Sequence, residues 1–215
     1  MALFFPPDVL FMISGLHYAG RKGEGHCMAL KEYKRRRDFK KTTEPAARRR
    51  KGKPMNPVFV VHKHKATRLH YDFRLEIDGV LKSWAVPKGP SMNPSDKRLA
   101  VMVEDHPFDY KDFEGTIPEG EYGAGTVMIW DAGTFEPRGN PAEDLERGEL
   151  RVRLDGTKLK GGFVLVRTMM GGKKENWLLI KERDEQADAE GDILIDEPDS
   201  AASGRSLTEI ADQER

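Results

Sequence analysis

Residues 69–77 read LHYDFRLEI, a strict alternation of apolar and polar side chains. In an extended strand, Leu69, Tyr71, Phe73, Leu75 and Ile77 share one face, while His70, Asp72, Arg74 and Glu76 share the other. Asp78-Gly79 follows at once, a pair suited to a two-residue hairpin turn because both positions tolerate positive φ. Residues 80–86 then supply the return strand. A chain that carries this hairpin needs a sheet with a buried apolar face. Further strand candidates lie at 58–61, 99–103, 126–130, 148–154, 162–167 and 176–181, separated by glycine-rich turns. No long helical pattern competes with them. The expected fold is therefore mainly β: a compact, closed or nearly closed barrel with short flanking helices. Tyr71, Phe73, Trp84 and Trp130 are assigned to its core.

The chain has 215 residues, a length that fits one domain with tails or at most two small ones. A single cysteine, Cys27, excludes an intramolecular disulfide framework and a multi-cysteine zinc knuckle. Residues 1–19 are apolar, but Pro6, Pro7 and Asp8 interrupt them and no basic stretch precedes them. No 18-residue apolar span exists elsewhere, so neither secretion nor membrane insertion is expected, and the location is read as cytoplasmic. Residues 1–27 form an N-terminal extension. Translation from Met28 explains it, as does a poorly ordered arm or an extra packing element. Residues 28–57 form a basic arm and linker, 58–181 the barrel core, and 182–215 an acidic, flexible tail. Ile193-Leu194-Ile195 is that tail's one chance to dock.

Lysine plus arginine balances aspartate plus glutamate at 36 each, which first argues against a nucleic-acid partner. The distribution reverses that argument. Residues 1–70 hold 17 basic and 5 acidic side chains, and 182–215 hold 3 and 12. A basic front permits phosphate contact, and an acidic tail masks it in the total. The run Arg48–Lys51 reads equally well as a solvated loop or as a phosphate contact.

The densest chemistry is His64-x5-His70-x-Asp72-x-Arg74. Two imidazoles and a carboxylate are competent ligands for Mn²⁺, Zn²⁺ or Fe²⁺. His64 precedes the strand and can curl back over its polar face, and Arg74 is placed to hold a phosphate. A metal-free alternative stands beside this one, with Asp72 paired to Arg74 or orienting His70. His62 is read as a strand-face or surface residue. A second cluster, Glu104-Asp105-His106-Pro107, ends a strand, with Arg98 and Tyr110 nearby as phosphate donors. Its alternative is a strand cap in which His106 and Asp105 satisfy each other. Lys88 sits on the stiff turn Pro87–Pro90, as a phosphate cation or a plain loop lysine. The glycine-rich stretch 117–125 lacks the order of a nucleotide-binding loop and reads as a tight turn feeding a strand.

These residues resemble the 3'-phosphoesterase domain of bacterial DNA ligase D and its stand-alone bacterial and archaeal relatives. The stretches that carry the resemblance are LHYDFRLEIDGVLKSWAVPKGP (69–90), KRLAVMVEDHPFDY (97–110), FEGTIPEGEYGAGTVMIWDAG (113–133) and, more loosely, YKRRRDFKKTTEP (33–45). The resemblance implies a β-barrel and Mn²⁺, Co²⁺ or Zn²⁺ held by His64, His70 and Asp72. It further implies that Arg74, Arg98, His106 and Tyr110 surround the phosphate with Lys88 assisting. Arg37, Asp38 and Glu44 would support activity on DNA ends. The implied activity is 3'-end repair in non-homologous end joining. A phosphodiesterase step removes a terminal ribonucleoside from a primer strand, by water or the neighbouring 2'-OH, and a phosphomonoesterase step then leaves a 3'-OH. Primer–template ends are the implied partner, with end-joining ligase and polymerase proteins beside them, and a free-standing monomer is expected. Two other classes fit the residues: a non-catalytic barrel that binds DNA or RNA ends, and a His–His–Asp oxygenase. Arg74, Lys88 and Arg98 favour phosphate chemistry over the latter.

Overall fold

The computed structural model describes residues 30–52, 55–168 and 175–213. Expectations for residues 1–27 lie outside the described residues. The strands are β1 (Val58–Lys65), β2 (Leu69–Ile77), β3 (Val80–Val86), β4 (Arg98–Met102), β5 (His106–Pro107), β6 (Gly115–Ile117), β7 (Gly125–Pro137), β8 (Glu149–Gly156), β9 (Lys160–Thr168) and β10 (Asn176–Lys181). Antiparallel pairing runs β1-β2-β3-β4-β10-β9-β8-β7, and β7 pairs again with β1. The result is the expected closed barrel, with eight strands; β5 is added beside β3 and β6 beside β7. Flanking helices are short: α1 (Lys31–Arg35), a 3₁₀ helix Phe108–Asp112, α2 (Pro141–Arg147), α3 (Ile193–Asp196) and α4 (Leu207–Asp212). Among the described residues, no helix is long and apolar enough to cross a membrane.

The hairpin that opens the sequence argument forms in the register its turn dictates. Asp78 and Gly79 both take positive φ, 53° and 74°, so Ile77 pairs with Val80 and Arg74 with Ser83. Glycine is required here for a second reason. A Cβ at Gly79 would lie 2.3 Å from the Arg50 carbonyl, because the arm crosses the turn at this point. Arg50 N–H donates to the Gly79 carbonyl at 2.9 Å, and the Arg50 side chain pairs with Glu76 at 3.0 Å. The run Arg48–Lys51 is thus neither a wholly solvated loop nor a wholly free cationic patch.

The apolar face of β2 fills the barrel. Tyr71, Phe73, Leu75 and Ile77 join Trp84, Trp130, Trp177 and Phe163 in one buried cluster. Two of its aromatic pairs meet edge to face, Tyr71 on Trp130 (5.4 Å, 84°) and Trp84 on Trp177 (6.0 Å, 76°). The polar face of β2 is not left to water. A second cluster of Tyr33, Val60, Leu81, Tyr110, Phe113, Ile117, Val127 and Ile129 covers the outside of the barrel there. The arm and the 3₁₀ helix supply its lid, so Asp72, Arg74 and Glu76 are all buried.

The acidic stretch after residue 181 is a packed strap and corrects the expectation of a flexible tail. Ile193, Leu194 and Leu207 pack on the barrel core and Ile210 is buried within it. The strap's backbone also accepts hydrogen bonds from the barrel, from Trp130 Nε1 to the Glu197 carbonyl (2.7 Å) and from Lys63 Nζ to the Pro198 carbonyl (3.1 Å). Glu114, next to β6, gathers Ser200 (2.6 Å), Ser203 and Arg205 (2.9 Å). Four well-placed apolar side chains and exposed carbonyls suffice, although the composition of the segment reads as a tail.

Two measurements check the strap. Ile210→Ala is expected to lower unfolding free energy by about 2–5 kcal/mol in denaturant melts. Ending the chain at residue 181 is expected to lower the melting temperature and to expose dye-binding apolar surface, the outcome a flexible tail would not give.

Candidate functional site

β1 and β2 are joined by only three residues, because Lys65 pairs with Leu69. His64 therefore stands opposite His70, and His62 opposite Asp72 two rungs further on, on the same face. Directly opposed side chains in an antiparallel pair begin about 5 Å apart, close enough to share a ligand. Across the other edge of β1, the pairing with β7 shifts register between Val61 and His62, a bulge that turns this stretch of strand.

One nitrogen or oxygen each from His64, His70 and Asp72 lies within 4.8 Å of the others. Which ring nitrogen of each histidine faces Asp72 is set by what lies behind it. His70 Nδ1 donates to the Arg68 carbonyl at 2.9 Å, which leaves the Nε2 lone pair facing Asp72 Oδ1 at 3.6 Å. His64 Nε2 donates to the Gly123 carbonyl at 2.9 Å, which leaves Nδ1 facing Asp72 Oδ2 at 3.8 Å. Two imidazole lone pairs and a carboxylate thus converge, each imidazole oriented by a backbone carbonyl. That is the donor set and the outer support that a divalent cation requires. Gly123 has φ of 80°, a backbone state that favours glycine at the point where its carbonyl reaches His64.

Behind the cluster lies Arg74, only 2% exposed. Its Nη2 donates to Asp72 Oδ2 (3.0 Å), its Nη1 to Ser83 Oγ (2.8 Å) and its Nε to His62 Nδ1 (3.2 Å). The Tyr110 ring covers the guanidinium at 4.9 Å. The metal-free alternative drawn from the sequence, Asp72 paired with Arg74, is therefore present together with the converging triad. His62 lies buried on the strand face and holds Arg74; it is not one of the three convergent donors.

His106 joins from β5, which pairs with β3 at Leu81. Its Nδ1 donates to the Glu104 carbonyl at 2.9 Å and stands 3.4 Å from Ser83 Oγ. Nε2 accepts from Arg37 Nη2 at 3.4 Å. Asp105 pairs with Lys82 at 2.7 Å, so it does not satisfy His106. Arg37 in turn donates to buried Glu44 at 2.9 Å, lies 3.4 Å from Glu104 and stacks 3.7 Å over the Tyr33 ring. Thr42 completes Glu44 with a 2.9 Å hydrogen bond. Asp38 is exposed and shapes the bend after α1, accepting from the Lys40 N–H at 3.1 Å.

Arg98 and Lys88 are not brought into hydrogen-bond or ion-pair contact with the cluster among the described residues. Arg98 shares a strand face with Ala100, on the barrel-interior side, and pairs with Asp96 at 2.8 Å. Its Nε is buried with no hydrogen-bond partner, so one donor is left over. Lys88 is exposed on its turn.

Electrostatics follow from this packing. Burial alone would raise the Asp72 carboxyl, but the neighbouring Arg74 guanidinium outweighs it and holds the group well below the usual carboxylate range. Burial pushes His106 far down, and the cations Arg74 and Arg37 push it further. His62 is lowered by burial and by Arg74. Tyr110 is raised by burial, with Glu44 adding to the effect. The phenol and both of these imidazoles are neutral near pH 7.

Sequence reasoning missed Ser83, Tyr33 and the Gly123 carbonyl. Ser83 was within reach: a two-residue turn at 78–79 pairs residue 74 with residue 83 by simple counting. Gly123 was not, because a backbone carbonyl leaves no mark in the side-chain pattern.

Residues 62–167 match the family described as the DNA Ligase D 3'-phosphoesterase domain. The chain is similar to the multifunctional non-homologous end joining protein LigD of Pseudomonas aeruginosa, 54% identical over 181 residues, which is 83% of this chain and 22% of that protein. It is also similar to the multifunctional non-homologous end joining DNA repair protein LigD of Mycobacterium tuberculosis, 44% identical over 167 residues, 77% of this chain and 21% of that protein. The chain thus spans about a fifth of the length of these relatives.

Stability should carry the signature of the two buried neutral histidines. Their folded-state pKa values lie below the unfolded value of about 6.5, so the stability they confer is complete above that pH and is lost as pH falls below it. Urea melts from pH 7 to pH 5 are expected to fall less steeply for His62→Gln or His106→Gln than for wild type, by up to about 1.4 kcal/mol per pH unit.

Proposed function

The chain belongs to the DNA ligase D 3'-phosphoesterase domain family, and from that premise we propose that it is a divalent-metal-dependent hydrolase of DNA 3' ends acting in end joining. The observation that carries this reading is the convergence of two imidazole lone pairs and a carboxylate beside a buried arginine. His64, His70 and Asp72 would hold the ion, Mn²⁺ before Co²⁺ or Zn²⁺. When bound, the ion supplies Lewis-acid polarisation of a phosphoryl oxygen.

The remaining chemistry belongs to the protein. Arg74 fixes the Asp72 carboxylate and adds positive potential behind the phosphate subsite. His106 is neutral, with Nε2 turned toward Arg37, so in this state it accepts hydrogen bonds. To protonate a leaving oxygen it must first take up a proton. An incoming phosphate opposes the two cations that depress its pKa and so favours that uptake. Partly exposed Arg98 and exposed Lys88 would act on a phosphate or strand further from the triad.

The substrate class is a primer strand paired to a template and ending in a ribonucleotide. In the first step water adds to phosphorus, the bond to the terminal 5' oxygen breaks, and the departing nucleoside leaves a 3'-phosphate. In the second, water releases inorganic phosphate and leaves a 3'-OH. Exposed Lys34, Arg35, Lys40 and Lys41 on the arm supply salt-sensitive attraction to the strand.

A 5'-labelled primer–template with a 3'-ribonucleotide or 3'-phosphate end tests the reading. Trimming with Mn²⁺ and none with EDTA is expected, and His70→Ala or Asp72→Ala should abolish it. A mobility shift without trimming would instead identify a binding module. Calorimetric titration of Mn²⁺ into Asp72→Asn is expected to show at least about tenfold weaker binding than wild type, since the variant keeps the shape and loses the charge.

A further inference from the structure

The loop before β7 does more than turn the chain. It makes two tight turns, with Glu121 N–H on the Pro118 carbonyl (3.2 Å) and Ala124 N–H on the Glu121 carbonyl (3.1 Å). Within the second, the Gly123 carbonyl fixes His64 at 2.9 Å. One residue earlier stands Tyr122, 44% exposed, whereas Tyr33, Tyr71 and Tyr110 are all buried.

The ring of Tyr122 is exposed yet not loose. Arg36 Nη1 donates to its hydroxyl, and the guanidinium carbons of Arg36 and Arg37 lie 4.7 Å and 5.5 Å from the ring centre. Arg36 is itself tethered to Glu32 and, at 3.4 Å, to Glu104. The hydroxyl is therefore spent on the arm, and what the residue offers outward is its aromatic surface. A held ring beside cations, one residue from the carbonyl that orients a triad histidine, suits a flat partner that hangs next to a phosphate. A nucleobase stands one sugar away from its phosphate in the same manner.

We propose that Tyr122, clamped by Arg36, is the stacking platform for the nucleobase of the 3'-terminal nucleotide. The proposal rests on the phosphoesterase reading and deepens it. Stacking uses the face common to every base and not the hydrogen-bonding edges, so the platform tolerates base identity but requires a base. It also explains how a terminal unit that makes no further strand contacts is retained long enough to be cleaved.

The test compares cleavage of primers that share one scissile diester and end in A, C, G or U ribonucleotides or in an abasic ribose. Wild type is expected to cut the base-bearing ends about tenfold or more faster in kcat/KM than the abasic end, with small differences among the four bases. Tyr122→Ala is expected to cut all ends at the abasic rate, and Tyr122→Phe to restore the preference. Equal loss on both kinds of end in Tyr122→Ala, or no discrimination by wild type, overturns the platform. Absence of cleavage by wild type on every end overturns the phosphoesterase reading and the platform with it.

Discussion

Arg74 is a full positive charge at 2% exposure, and most of the polar architecture can be read as the cost of keeping it there. A buried cation is tolerable only when its charge is balanced and its donors are engaged. Asp72 supplies the charge, Ser83 and His62 supply acceptors, and the Tyr110 ring supplies a polarisable face. Burial, with the same cation adding to it, keeps His62 and His106 neutral. Neutral imidazoles keep acceptor lone pairs. The buried arginine thus prepares the chemistry around it as well as anchoring the carboxylate of the triad.

That arrangement needs a roof, because the polar face of β2 points away from the barrel interior. The arm provides it. Tyr33 is wholly buried against His106 (5.2 Å) and Tyr110 (6.2 Å), and Arg37 and Glu44 form an ion pair with almost no exposed side-chain surface. The strap after residue 181 docks elsewhere, on β7 and β6 through Glu114 and on the core through Ile210. Basic arm and acidic strap are both structural, so the balanced net charge is no guide to the charge of the exposed surface. Much of the front's charge is consumed internally by Arg36, Arg37 and Arg50. Lys34 and Lys40 of the arm stay exposed.

The barrel was legible because alternation and turn chemistry are local properties. Residues 69–86 announce two strands and the turn between them, and the turn forms with the backbone angles that Asp-Gly favours. The triad was legible as residue types, yet its assembly depends on a three-residue link that sets His64 opposite His70, a number visible only once strand ends are known. The strap was misread because composition reports how much apolar surface a segment has, not where it falls. Ile193, Leu194, Leu207 and Ile210 are few, but all four meet the barrel. Tyr33 was hidden for the opposite reason: its ring partners, His106 and Tyr110, lie more than seventy residues away.

Core and site are finally two consequences of one register. In β2 every odd position from Tyr71 to Ile77 enters the barrel, and every even position from His70 to Glu76 enters the polar layer outside it. A one-residue slip against β1 or β3 would exchange the two sets, placing Asp72 and Arg74 among Trp84 and Trp130 and sending Tyr71 and Phe73 outward. Neither layer could absorb that exchange, since one lacks acceptors for a guanidinium and the other lacks room for the aromatic rings. The hydrophobic effect that closes the barrel therefore also fixes the distance from His70 to Asp72 and from Arg74 to Ser83. The geometry of the site is not grafted onto a scaffold by loops alone; it is the reverse side of the core.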